Sequence, residues 1–216
     1  MSEFPAVLFD IGGVLTQPLT PMIIEAALAT GLDLTGLQEA LRPMFVSEGD
    51  GDEPAHRMER GLLSLDDFLS GLEGPKDVRE VAHALFHPTS ELYVFKRFEP
   101  HPGMVKFVQE VQASGRTTCV VSNVIAEWLP AWNAVLNSSG LVFDVVVLSC
   151  EVGCRKPNPA IFQLALDQGG VTASQALFID DFAPMAEGAR QVGIAAITLE
   201  NHESAIAEGR QLLGIG

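Results

Sequence analysis

The sequence predicts an α/β protein: a doubly wound parallel sheet, interrupted just after its first strand by an inserted helical domain. Three observations carry this reading. From Pro100 onward, short apolar runs alternate with stretches of helical spacing, the pattern of strands and helices around a parallel sheet. One more apolar run, Ala6-Val7-Leu8-Phe9, stands alone near the N-terminus. Between Thr16 and about Glu99 no strand pattern is found, only helical ones.

The first run is too short to span a membrane and has the composition of a strand buried on both faces. It ends in Asp10, a charge that is costly there unless a metal, a cation or donor groups compensate it. Gly12 and Gly13 follow, which let the backbone turn sharply and approach a ligand closely. A positive φ at Gly12 belongs to that expectation, and would strain an aspartate placed there.

In the insert, Thr20-Pro21 reads as an N-cap and a first helical residue, with Ile23, Ile24, Ala27 and Leu28 on the apolar side and Gly31 as the stop. Leu37, Leu41 and Met44 suggest a second helix, and Glu48 to Pro54 a loop. Ser64-Leu65-Asp66-Asp67 has the form of a capping box before Phe68, Leu69 and Leu72. Val78 to Phe86 gives one more helix. After Pro100-His101-Pro102-Gly103, helices are expected at Val105–Val111, Trp128–Leu136, Asn158-Pro159 to Leu166, Pro184–Val192 and Ser204–Leu213. Strands are expected at Thr117–Val121, Val145–Leu148, Ala176–Ile179 and Ala195–Leu199. The core is therefore assigned to residues 1–15 and 100–216 and the helical insert to 16–99.

The net charge of −15 argues against nucleic acid and anionic membrane as partners. Cys119, Cys150 and Cys154 are too few and too irregular for a disulfide framework or a cysteine metal site, and read as free thiols. No basic leader and no transmembrane-length run is seen, so a cytoplasmic location is expected. Oligomeric state is not legible.

Each core strand runs into polar residues at the same end: Asp10, then Ser122-Asn123, then Arg155-Lys156-Pro157, then Asp180-Asp181. In a parallel sheet these ends share one edge. Carboxylates, a hydroxyl, an amide and an ammonium gathered there suit phosphoryl transfer. The carboxylates can hold Mg²⁺ through hard oxygens. Ser122 and loop amides can donate to phosphate oxygens, Lys156 supplies a positive charge, and one carboxylate can attack phosphorus to form an aspartyl-phosphate.

Taken together, these stretches resemble the haloacid dehalogenase (HAD) superfamily, with a helical cap inserted after the first motif. Phe9-Asp10-Ile11-Gly12-Gly13-Val14-Leu15, Val121-Ser122-Asn123, Gly153-Cys154-Arg155-Lys156-Pro157-Asn158-Pro159 and Phe178-Ile179-Asp180-Asp181 are similar to its four motifs, with Gly188-Ala189 and Gly193 downstream. Glu59-Arg60-Gly61 and Pro100-His101-Pro102-Gly103-Met104 are similar to its capped branch. The resemblance implies a Rossmann-like core, Asp10 as nucleophile, and Ser122, Asn123 and Lys156 around the phosphate. It implies Mg²⁺ on Asp10, the Gly12 carbonyl, Asp181 and, directly or through water, Asp180. The substrate it implies is a small phosphorylated metabolite, selected by cap residues among which Arg42, His56, Arg57, Arg60, His87, Lys96 and Arg97 are candidates.

One position departs from the family. Two residues after the nucleophile most family phosphatases carry an aspartate that acts as general acid and base; here that position is Gly12. Two other readings therefore stand beside the phosphatase. A non-catalytic relative would bind a phosphorylated metabolite or a protein partner. A dehalogenase-type hydrolase also lacks that aspartate, but usually has tyrosine there, an arginine early in the cap and an incomplete acidic pair, whereas here Asp180-Asp181 is intact and the first arginine is Arg42.

Overall fold

A computed structural model of the chain describes residues 4–29, 49–72 and 76–216. The strands are β1 (Ala6–Phe9), β2 (Thr117–Ser122), β3 (Val145–Leu148), β4 (Ala176–Asp180) and β5 (Ala195–Thr198). They form one parallel sheet in the order β3-β2-β1-β4-β5. The first strand in the sequence is thus the central one, with Ala6 registered on Thr117 at one side and on Ala176 at the other. Its side chains divide between the two faces: Val7 and Phe9 join Phe107 and Val108, while Ala6 and Leu8 join Ile161 and Phe162. Burial on both faces explains why the run is apolar without alternation.

Among the described residues, the insert carries α1 (Leu19–Ala29), α2 (Pro54–Glu59), α3 (Leu65–Gly71) and α4 (Lys76–Phe86). The core carries α5 (Pro102–Ala113), α6 (Leu129–Ser139), α7 (Pro159–Gly169), α8 (Ala183–Gln191) and α9 (His202–Leu213). The connections leaving β1 and β4 diverge to opposite sides of the sheet. The crevice between their C-terminal ends is therefore the point at which doubly wound sheets bind ligands.

The insert meets the core in several places. Thr16 bridges Pro100 in antiparallel fashion and the His101 N–H donates to the Leu15 carbonyl at 2.8 Å, so the outgoing and returning chains lie side by side. An aromatic group then joins it to α6: Phe95 lies 4.1 Å from Trp128 between ring centroids, Phe98 lies 5.1 Å from Trp132, and the Trp128 indole N–H donates to the Phe86 carbonyl at 2.9 Å.

The boundaries differ from expectation at a few points. Helix α1 begins at Leu19, ahead of the expected cap, and Pro21 falls in its first turn, where a missing N–H loses no partner. Helix α2 was not foreseen, because six residues are too few to show a period; Pro54 at its first position was the available signal. A single helical turn, Ser149–Val152, intervenes between β3 and Gly153. Ser64 does cap α3, accepting the Asp67 N–H at 3.1 Å. The expected Gly31 stop, the helix at Leu37–Met44 and Arg42 lie outside the described residues. The three cysteines are free thiols, and no described helix is long and apolar enough to cross a membrane.

Candidate active site

Strand pairing aligns the polar residues. Strand β4 runs through Asp180 itself, and the Asp10 N–H donates to the Ile179 carbonyl at 3.0 Å, which stitches the ends of β1 and β4 together. Lys156 reaches this seam from the loop before α7. Its Nζ donates to Asp10 Oδ1 at 2.7 Å and to Asp180 Oδ2 at 2.6 Å. Lys156 is 2% and Asp180 1% exposed, so the group is held almost without water. Asn123 fixes the lysine from behind: its Oδ1 accepts the Lys156 N–H at 2.8 Å and its Nδ2 donates to the Lys156 carbonyl at 3.0 Å. Helix α8 packs against the same loop, where a Cβ on Gly188 would come within 2.5 Å of Pro157 Cβ.

The charges are unbalanced, two carboxylates to one ammonium. Burial alone would discharge Lys156, but Asp10 and Asp180 outweigh it and hold the ammonium above the ordinary lysine range. Burial pushes the Asp180 carboxyl up to about 6; the nearby Asp10 charge adds to this and Lys156 only partly offsets it. Asp181 reaches solvent on one side, yet its surroundings, with Asp10 and Asp180 adding like charge, push it up to about 7. One oxygen from each of Asp10, Asp180 and Asp181 lies within 4.8 Å of the others. Three crowded carboxylates form an all-oxygen donor set that fits a hard divalent cation.

The turn after β1 is closed by Gly13, whose N–H donates to Thr16 Oγ1 at 3.0 Å. Gly13 has φ 75° and no room for a side chain, since a Cβ would fall 2.0 Å from Asp181 Oδ2. Gly12, where positive φ was expected, instead has φ −69° and ψ 123°, a conformation open to any residue. The left-handed step is taken one residue later.

A cavity of about 170 Å³ opens over the seam, lined by residues of both the core and the insert. Asp10, Asn123, Lys156, Asp180 and Asp181 line it, as expected site residues; Ser122, buried at the end of β2, and Gly12 are not among its lining residues. Four lining residues were not foreseen as part of the site: Glu59, Arg155, Phe182 and Met185. Arg155 is 3% exposed; its Nε donates to Glu59 and its guanidinium also reaches the Gly49 carbonyl. The signal for this tie was its place beside Lys156, but nothing local could name a partner 96 positions away.

Of the cap candidates, His56 lines the cavity. The others do not. Arg60 donates to the Gly51 carbonyl at 3.0 Å and to Asp52 at 3.1 Å, His87 pairs with Thr89 and Asp66, and Lys96 donates to the Ser90 carbonyl at 2.9 Å. Arg57 is half-buried outside the cavity, and Arg97 lines a separate pocket with Lys96.

Comparison with known proteins agrees with this geometry. A family model described as haloacid dehalogenase-like hydrolase matches residues 4–193. The chain is 30% identical over 199 residues to a phosphoglycolate phosphatase of Rhodospirillum rubrum, covering 90% of this chain and 78% of that protein. It is 31% identical over 217 residues to acyl-CoA dehydrogenase family member 10 of Mus musculus; this takes in 98% of this chain but only 19% of that much longer relative. Among solved structures, a HAD family enzyme of Bacteroides thetaiotaomicron, in complex with magnesium and inorganic phosphate, superposes with a TM-score of 0.59 at 19% identity, covering 90% of this chain and 93% of that one.

Proposed function

The chain belongs to the haloacid dehalogenase-like hydrolase family, and from that premise we propose that it is a Mg²⁺-dependent phosphohydrolase acting on a small phosphorylated metabolite. The observation that carries the reading is the shared ammonium: Lys156 bonded to Asp10 and Asp180 at the floor of a small cavity, with Asp181 beside them. A buried cation between carboxylates is the electrostatic setting that admits a phosphate dianion, whose charge it would share. The R. rubrum phosphatase and the magnesium and phosphate of the B. thetaiotaomicron enzyme support the same reading.

In this reading Asp10 attacks phosphorus. The Asp10–phosphorus bond forms while the bond to the substrate oxygen breaks; water then displaces phosphate from the aspartyl-phosphate and restores the carboxylate. Lys156 holds the phosphate and pairs with Asp10. Asn123 positions Lys156 through its backbone, and Ser122 is the further phosphate contact by family resemblance. Mg²⁺, when bound by Asp10, the Gly12 carbonyl, Asp181 and Asp180, supplies charge neutralisation for the transferring group. Residues 1–15 with 100–216 serve as the catalytic core and 16–99 as the cap that closes it and selects the substrate.

The test is hydrolysis of aryl and alkyl phosphates with Mg²⁺ and after exhaustive chelation. Activity is expected only with the metal, and Asp10→Asn should lower it by at least about a thousandfold, the scale on which loss of a nucleophile is felt. Full activity in chelator, or in Asp10→Asn, overturns the proposal. Halide release from a haloacid without metal would instead support the dehalogenase reading.

A further inference from the structure

We infer that His56 supplies the acid and base function for which Gly12 has no side chain, an inference that rests on the phosphohydrolase reading above. His56 stands on α2, on the wall that the insert contributes to the cavity, and is 1% exposed. Its two nitrogens are in different situations. Nδ1 lies 2.8 Å from Glu53 Oε2, within ion-pair distance though not aligned as a hydrogen bond. Nε2 is buried with no hydrogen-bond partner among the described residues.

The other polar groups on the cavity wall contrast with it. Asp10 and Asp180 are paired with Lys156, Asn123 is bonded to the lysine backbone, and Arg155 is paired with Glu59. The imidazole is therefore a wall group with a free working atom and a carboxylate behind it. A carboxylate beside Nδ1 favours the proton on that nitrogen and leaves Nε2 to exchange protons, the logic by which an acidic residue orients a catalytic histidine.

The proton balance closes over the two steps. As the Asp10–phosphorus bond forms and the phosphorus–oxygen bond of the substrate breaks, the protonated imidazole gives its Nε2 proton to the leaving oxygen, which departs as a neutral alcohol. The neutral imidazole then takes a proton from water as that water attacks the aspartyl-phosphate and the Asp10–phosphorus bond breaks. Imidazolium is restored, one water is consumed, and alcohol and phosphate are released. The family places both roles on a side chain two residues after the nucleophile; here one histidine of the insert performs them.

The experiment compares kcat/KM for an aryl phosphate with an acidic phenol and for an alkyl phosphate, in the wild type, His56→Gln and His56→Ala, all with Mg²⁺. A positioned general acid is worth roughly 10²–10⁴ in rate, and a phenolate that leaves as a stable anion needs it least. The alkyl phosphate should lose at least about a hundredfold in both variants and the aryl phosphate less than about tenfold. Both variants should release a burst of phenolate with aspartyl-phosphate accumulating, because the water that resolves it has lost its base. Gly12→Asp in the His56→Ala background should recover at least about tenfold of the alkyl rate, since residue 12 has the negative φ that an aspartate adopts without strain. Melting curves accompany the kinetics, and His56→Gln keeps the test decisive if His56→Ala fails to fold. Equal losses on the two substrates, or no loss on either, overturn the inference while leaving the phosphohydrolase standing. A folded wild type that cleaves neither substrate in Mg²⁺ overturns the phosphohydrolase reading, and this inference with it.

Discussion

The sheet edge and the insert wall face the same cavity but hold their charges differently. At the edge, Lys156 Nζ donates to Asp10 at 2.7 Å and to Asp180 at 2.6 Å, with the lysine backbone clamped by Asn123. Strand ends place Asp10 and Asp180, and the loop clamped by Asn123 places Lys156. On the wall, Glu59 is tied to Arg155 of the core, Asn158 donates to Asp50 at 2.6 Å, and His56 keeps a free nitrogen. The edge groups come from the core and are paired with one another, a fixed arrangement of charge. The wall is positioned by ties that reach across to the core, so its arrangement depends on how the insert sits.

Lys156→Ala probes the edge most severely. It removes the one cation between two buried carboxylates, and kcat/KM with an aryl phosphate should fall by at least about a hundredfold, which is about 2.7 kcal/mol. A loss below about threefold would show that the edge does not depend on its ammonium and would erase the contrast.

Glu59→Ala probes the wall. It leaves the buried Arg155 guanidinium without its carboxylate, although Glu59 is itself 22% exposed, so solvent relieves part of the loss. A cost of about 1–2 kcal/mol, read as a melting point lower by about 2–8 °C, is expected. An unchanged melting point would mean that the tie holds nothing in place.

The smallest effect sharpens the electrostatic half of the contrast. Asp180 at about 6 and Asp181 at about 7 bind protons more tightly in the folded chain than an ordinary carboxylate does. The folded state therefore carries more protons than the unfolded one between the ordinary carboxylate value and those raised values, and stability declines as pH rises through that window. In chelator, the melting point should be higher near about pH 5 than near about pH 8, and Mg²⁺ should recover it at the higher pH. A metal-free melting point that rises over that range would show that the edge carries no excess of negative charge.

The sequence by itself determined the α/β class, the buried first strand and the polar residues at the strand ends, because these signals are local. A run such as Ala6–Phe9 is apolar at every position only when both faces of its strand are buried, and a charge such as Asp10 directly after it marks the open end. Other features had no local signature. The six residues of α2 carry no period, so the element bearing His56 was read as the end of a loop. The two glycines after Asp10 look alike in sequence, yet Gly13 takes the positive φ, with Asp181 in the space of a Cβ, and Gly12 does not. The pairing of Arg155 with Glu59 and the free Nε2 of His56 are products of how the insert folds back on the core. Tertiary structure alone decides them, since a hydrogen bond depends on distance and direction in space, and residues so far apart along the chain leave no trace of either in their order.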